Sequence, residues 1–155
     1  MEKFFNYSDS GFKVREEIIK AHRESWKAIS KAGSFWSGED RVQIATQARS
    51  ARLQRRELPF NRSHPPCSLS NDALEVTHTI AADAHKIDKG WADSLIAELG
   101  SGAYIEIASI VVTVSAIDAF SEALGRGHEK FPKPQPGKPD GEQNPSVADI
   151  GAYVP

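Results

Sequence analysis

Apolar residues recur at helical spacing through most of the chain, and the pattern predicts five helices and no strand. Over 10–32 one helix face carries Ile18, Ile19, His22, Trp26 and Ile29, and Gly33 supplies the stop. Ser37-Gly38-Glu39-Asp40 has the form of a capping box with Asp in place of Glu. It opens a second helix with Val42, Ile44, Ala45, Ala48 and Ala51, bounded on the far side by Pro59. The stretch 58–70, LPFNRSHPPCSLS, reads as a loop. Ser70-Asn71-Asp72 caps a third helix with Leu74, Thr77, His78 and Ala81 on one side, and Val76 and Ile80 beside them. A fourth begins near Asp88, carries Trp91, Leu95, Ile96 and Leu99, and stops at Gly100.

The fifth segment, 101–124, starts at a capping Ser101 and closes at Gly125. Ile105, Ile107, Ile110, Val111, Val112, Val114, Ile117, Phe120 and Leu124 leave little polar surface on any side, which predicts a long central buried helix. A small five-helix domain has too few elements to cover every side of such a helix, so a neighbouring subunit is the expected cover. The uncharged run from Ile107 to Ile117 is shorter than the roughly 20 residues that span a bilayer, so no membrane role is expected. Six of the nine prolines then lie between Pro132 and Pro155. The expected organisation is a helical domain over 1–130 and an extended tail over 131–155 that wraps the surface or a neighbour.

Composition narrows the function classes. Nineteen basic and 21 acidic residues give a net charge of -2, which provides no field to recruit nucleic acid. The start, MEKFFNY, lacks the features of an export signal, which makes the cytoplasm the expected location. Cys67 is the single cysteine, so an intramolecular disulfide cannot form. There is no glycine-rich phosphate loop after a strand and no serine-nucleophile elbow.

Several residues could carry chemistry. Glu106 stands one turn inside the apolar fifth segment, where burial would raise its pKa unless it is paired, with Ser109 and Thr113 on the same face. With His78 or His85 it makes a candidate acid-base set. The structural alternative pairs Glu106 with Arg41 or Arg49 and makes His78 a satisfied core histidine. His78, Asp83 and His85 match no standard zinc spacing, so no metal and no cofactor are expected. Cys67 with His64 reads as an incidental thiol rather than an activated nucleophile. Arg49, Arg52, Arg55 and Arg56 form a basic stripe that complements a helix C-terminus, with an acidic partner as the other reading.

Two stretches resemble the alkylhydroperoxidase D and carboxymuconolactone decarboxylase superfamily, in its alkylhydroperoxidase-related branch. One is Trp36 through Ala45 with Ala48-Arg49, similar to the family's helix with an acidic-Arg pair and an Ile-Ala step. The other runs from Val76-Thr77-His78-Thr79-Ile80 through Trp91, Tyr104-Ile105-Glu106-Ile107, Ala116-Ile117-Asp118-Ala119-Phe120 and Ala123-Leu124-Gly125 to Pro134-Gln135-Pro136-Gly137 and Ala152-Tyr153-Val154-Pro155. Together they cover about residues 36–155, and the order of the elements carries the resemblance. It implies an all-α bundle of about five helices that oligomerises through its central helices, as a dimer or larger. The chain looks like the first half of two-repeat members, whose second half carries a Cys-x-x-Cys-x-x-x-His motif and which a partner could supply.

Catalytic members of the superfamily carry a Cys-x-x-Cys near the end of the acidic-Arg helix. Here Arg49 through Leu58 contains no cysteine, and thiol peroxidase chemistry needs a low-pKa thiolate, a resolving thiol and a reductant. The reading that follows is a non-catalytic oligomeric binding or scaffold domain. The alternative is a cysteine-independent acid-base enzyme resembling the decarboxylases and acting on a small acidic or lactone substrate, with Glu106 as proton relay and a histidine as base.

Overall fold

The computed structural model describes residues 4–55 and 64–141. Among them are five α-helices, α1 (Glu16–Ile29), α2 (Gly38–Gln54), α3 (Asn71–Ala82), α4 (Lys89–Leu99) and α5 (Ser101–Ala123), and no strand. The all-α expectation is met. Arg56, Pro59 and the Ala152-Tyr153-Val154-Pro155 end of the tail lie outside the described residues.

The local signals set most helix starts. The Ser37 hydroxyl accepts from the Asp40 amide, and the Asp40 carboxylate accepts from the Ser37 amide, so the capping box is closed with Asp in the Glu position. Ser70 and Asp88 cap α3 and α4 through their side chains. Three boundaries differ from expectation, one being the end of α1, which stops at Ile29 with Ser30 as its cap rather than at Gly33. Helix α1 begins at Glu16 rather than near residue 10, because Gly11 has φ 73° and Arg15 is extended. Ser101 is the first residue of α5 and not its cap. That position falls to Gly100, whose φ of 85° turns the chain from α4 directly into α5. A 3-10 turn, Ala84–Lys86, precedes α4.

Helices α2, α3 and α5 pack on one another and form the body of the core, with α4 against α3 and α5 and α1 against α2 and α5. Ile44, Ala45, Val76, Ile107 and Val111 are almost wholly excluded from solvent between them. No residue of α2 from Asp40 to Gln54 is exposed, although this helix is rich in polar side chains. It achieves this with alanines where helices approach closely and with inward-facing polar groups that find partners.

Helix α5 is buried through Tyr104, Ile107, Ala108, Ile110, Val111, Val114, Ile117 and Asp118. It is not covered all round. Ile105, Ser109, Val112, Ala116, Ala119 and Ala123 remain exposed along one side. Among the described residues it is the one helix long and apolar enough to cross a membrane, and 50% of its most apolar stretch is buried inside the protein.

Both ends of the described chain close over this body. Phe5 and Tyr7 enter the core beside Trp26, an N-terminal contribution the helical periodicity does not announce. Residues 126–141 run without regular structure, held where Trp26 donates to the Lys130 carbonyl, Gln135 N donates to Ser30 O at 2.7 Å and Gly141 N donates to Ser34 O at 2.7 Å. Over the described residues the proline-rich stretch therefore straps onto its own chain.

Candidate functional site

The polar groups that could carry chemistry fall into separate clusters along α2. Near its start, Arg41 forms an ion pair with Glu106, whose second oxygen accepts the Phe35 amide at 2.9 Å. Both side chains are largely enclosed, at 15% and 12% exposure. A carboxylate with one oxygen on a guanidinium and the other on a backbone amide is committed to a structural contact. Of the two arginines that could have met Glu106, the fold selects the one at the N-terminal end of α2.

Further along, Gln47 is buried and connects three elements. Its amide nitrogen donates to the Pro65 carbonyl at 2.6 Å, and its oxygen lies 3.1 Å from His78 Nε2 on α3. The His64 ring stacks on His78 at 3.9 Å between centroids, which fastens the 64–70 loop across α2 and α3. Cys67, in that loop, is half-buried and packs against the core. His85 is exposed on the 3-10 turn.

Glu106 and His78 thus have separate partners on α2, at Arg41 and at Gln47, six residues or about 9 Å of helix apart. Two surface clefts of about 360 and 350 Å³ are lined by the N-terminal segment with α1, and by the start of α2 with Pro134 to Gly137. None of Glu106, His78 and His85 lines either cleft. Among the described residues no group of three His, Cys, Asp or Glu side chains is placed to hold a metal ion.

Of the basic stripe, Arg49 and Arg52 turn inward. Arg49 grips Asp118 with two hydrogen bonds of 2.8 Å, donates to the Glu129 carbonyl at 2.9 Å, and lies over the Phe131 ring at 3.9 Å. Arg52 bonds Glu122 at 2.8 Å and lies 3.5 Å from Asp118. His128 Nε2 reaches the same Glu122 oxygen at 2.6 Å. Arg55 donates to the Ala82 carbonyl and so caps the end of α3. Asp118 on a predicted apolar helix, opposite arginines on another, is the sequence signal that would have disclosed this network.

A fourth arrangement was not foreseen. The Tyr7 hydroxyl lies 2.8 Å from His22 Nδ1, inside an aromatic set completed by Phe5 and Phe120. Burial pushes the Tyr7 phenol above its ordinary 10.0 and the His22 imidazole below its ordinary 6.5. A neutral imidazole accepting from a protonated phenol is the state this environment favours. Helices α1 and α5 and the N-terminal segment are joined through it. Comparison of the chain with family models, with curated proteins and with solved structures finds a match in none of the three.

Proposed function

We propose that this chain is a non-catalytic, oligomeric binding or scaffold domain of the alkylhydroperoxidase D-like type. The observation that carries the reading is the state of Glu106. It is the carboxylate best placed by sequence for acid-base work, and it is enclosed in an ion pair with Arg41 with its other oxygen on the Phe35 amide. An acid-base enzyme needs such a group to converge with a histidine on a pocket that substrate can reach. Glu106 and His78 instead hold separate structural partners, and His85 stands on the surface.

The thiol inventory supports the same reading. Cys67 is the single cysteine of the chain and packs half-buried against the core from within the 64–70 loop, while peroxide reduction needs a second, resolving thiol. A partner that carries the cysteine-bearing half is the natural complement in this proposal. Hydroperoxide consumption with a dithiol reductant, measured on the wild type and on Cys67→Ser, is expected to equal the protein-free rate in both. Turnover that disappears with Cys67 would overturn the proposal.

A further inference from the structure

Residues 4–10 lie over the bundle as a cover that belongs to no helix. Phe5 and Tyr7 are almost fully buried, and their rings close over Trp26, His22 and Phe120. A few attachments hold the segment there. Arg23 on α1 donates to the Phe4 carbonyl at 2.8 Å, the Phe5 amide donates to Glu129 at 2.9 Å, Asp9 pairs with Arg126, and the Tyr7 hydroxyl meets His22 Nδ1 at 2.8 Å. Phe5 has φ 55°, and among the described residues it is the one non-glycine residue with a positive φ. A phenylalanine enters that region only under constraint, so the segment gains backbone freedom when it lets go. The cleft of about 360 Å³ between this segment and α1 leaves the contact unsealed along one flank.

Of the four attachments, His22 is the one whose group ordinarily changes charge between pH 7.5 and 5.5, since carboxylates and guanidinium groups keep theirs in that window. Its ring stands edge-on to Phe5, Tyr7 and Phe120, with centroids 5.4, 5.9 and 5.1 Å away. The charged groups around this set are engaged elsewhere. Arg23 on α1 pairs with Glu16, and Asp9 in the segment pairs with Arg126. Asp118 and Glu122 on α5 turn to Arg49 and Arg52, His128 also turns to Glu122, and Glu129 accepts the Phe5 amide. Protonation of His22 removes the Nδ1 lone pair that accepts from Tyr7 and sets a cation among three aromatic rings. Edge-to-face contacts return only part of the hydration that such a cation loses.

We infer that residues 4–10 form an acid-released latch, in which protonation of His22 breaks the Tyr7 contact, frees Phe5 from its strained conformation and uncovers Trp26 and Phe120. The latch works on the N-terminal side of the molecule and does not depend on the scaffold reading. Its sign follows from burial, which holds the His22 imidazole below its ordinary 6.5 while the segment is closed. The closed state therefore binds fewer protons than the open one. Closure is fully present above about pH 6.5 and weakens as pH falls toward the depressed value, with one proton limiting the change in open population to about tenfold per pH unit.

Hydrogen exchange of the full chain, followed by NMR at pH 7.5 and 5.5 and corrected for the intrinsic pH dependence of exchange, tests the inference. The Phe5 and Ser10 amides report on the segment, because they are bonded to Glu129 and to the Tyr7 carbonyl. Amides within α3 and α5 report on the rest of the bundle. Protection at Phe5 and Ser10 is expected to fall about three- to tenfold in acid while α3 and α5 keep theirs. His22→Gln can still accept from Tyr7 and cannot titrate, so its protection is expected to be equal at both pH values.

Unchanged protection of the wild-type segment would overturn the latch, as would an equal fall across α3 and α5, which is loosening of the whole bundle. A fall that persists in His22→Gln would assign the response to another group and overturn the role of His22. A direct NMR titration of the wild-type His22 ring reads the same question without a variant. A folded-state midpoint at or above 6.5 would mean that the closed segment accepts the proton, and the latch would be rejected.

Discussion

At the scale of single residues, the inward-facing charges govern more of this molecule than its apolar content suggests. Asp118 is almost fully buried and accepts two hydrogen bonds from Arg49, with Arg52 close by. Replacing it with asparagine removes the charge and leaves two arginines enclosed with Glu122 alone. Asp118→Asn is expected to cost about 3–5 kcal/mol, seen as a lower urea midpoint at unchanged slope. A loss under about 1 kcal/mol would mean that the arginines relax into solvent at little cost.

His22 makes a pH prediction with a definite sign. Its imidazole is pushed below 6.5 by burial, so below that pH the unfolded chain takes up a proton that the folded protein resists. The stabilising contribution is fully present above about pH 6.5 and is lost as pH falls from there toward the depressed folded value. Unfolding free energy measured across this window should fall with acidification. His22→Gln should remove that part of the slope, and an unchanged slope would reject the assignment to His22.

Elements are joined here by short polar devices as much as by apolar faces. The strap at Gln135 crosses the gap between the end of α1 and the start of α2, and it does so because Gly38 leaves room. A Cβ at Gly38 would overlap the Ser30 carbonyl oxygen and come within 2.8 Å of the Gln135 carbonyl oxygen. Both obstacles are backbone and cannot swing away. Gly38→Ala is therefore expected to destabilise the protein by about 1–3 kcal/mol and to speed hydrogen exchange at the Gln135 amide, which is bonded to Ser30. Protection at that amide equal to wild type would show that the strap is anchored elsewhere. The start of α2 was readable because its cap is a contact between residues three apart. The strap over it joins residues more than a hundred positions apart, and no local pattern announces it.

For the whole molecule, α2 and α5 divide the roles that a first reading would assign to α5 alone. Helix α2 is the covered one, with alanines at the tight approaches and Gln47, Arg49 and Arg52 turned inward to partners on α3, α5 and the 64–70 loop. Helix α5 supplies the apolar bulk and keeps one uncharged row outward. That division gives a scaffold reading its physical content, since Glu106 and His78 are both engaged in contacts between helices.

By itself the sequence determined the all-α class, the four helix ends governed by Ser37, Ser70, Asp88 and Gly100, and the identity of the apolar positions, because caps and helical periodicity are local and act within one or two turns. It also limited the thiol chemistry, since one cysteine is one cysteine in any fold. Only the tertiary structure decided which arginine takes Glu106 and which take Asp118. It likewise decided that Phe5 and Tyr7 belong to the core and that the described part of the proline-rich stretch returns to its own chain. Those outcomes depend on which helix faces meet, and a buried charge has no preference among partners until packing has fixed the few within reach.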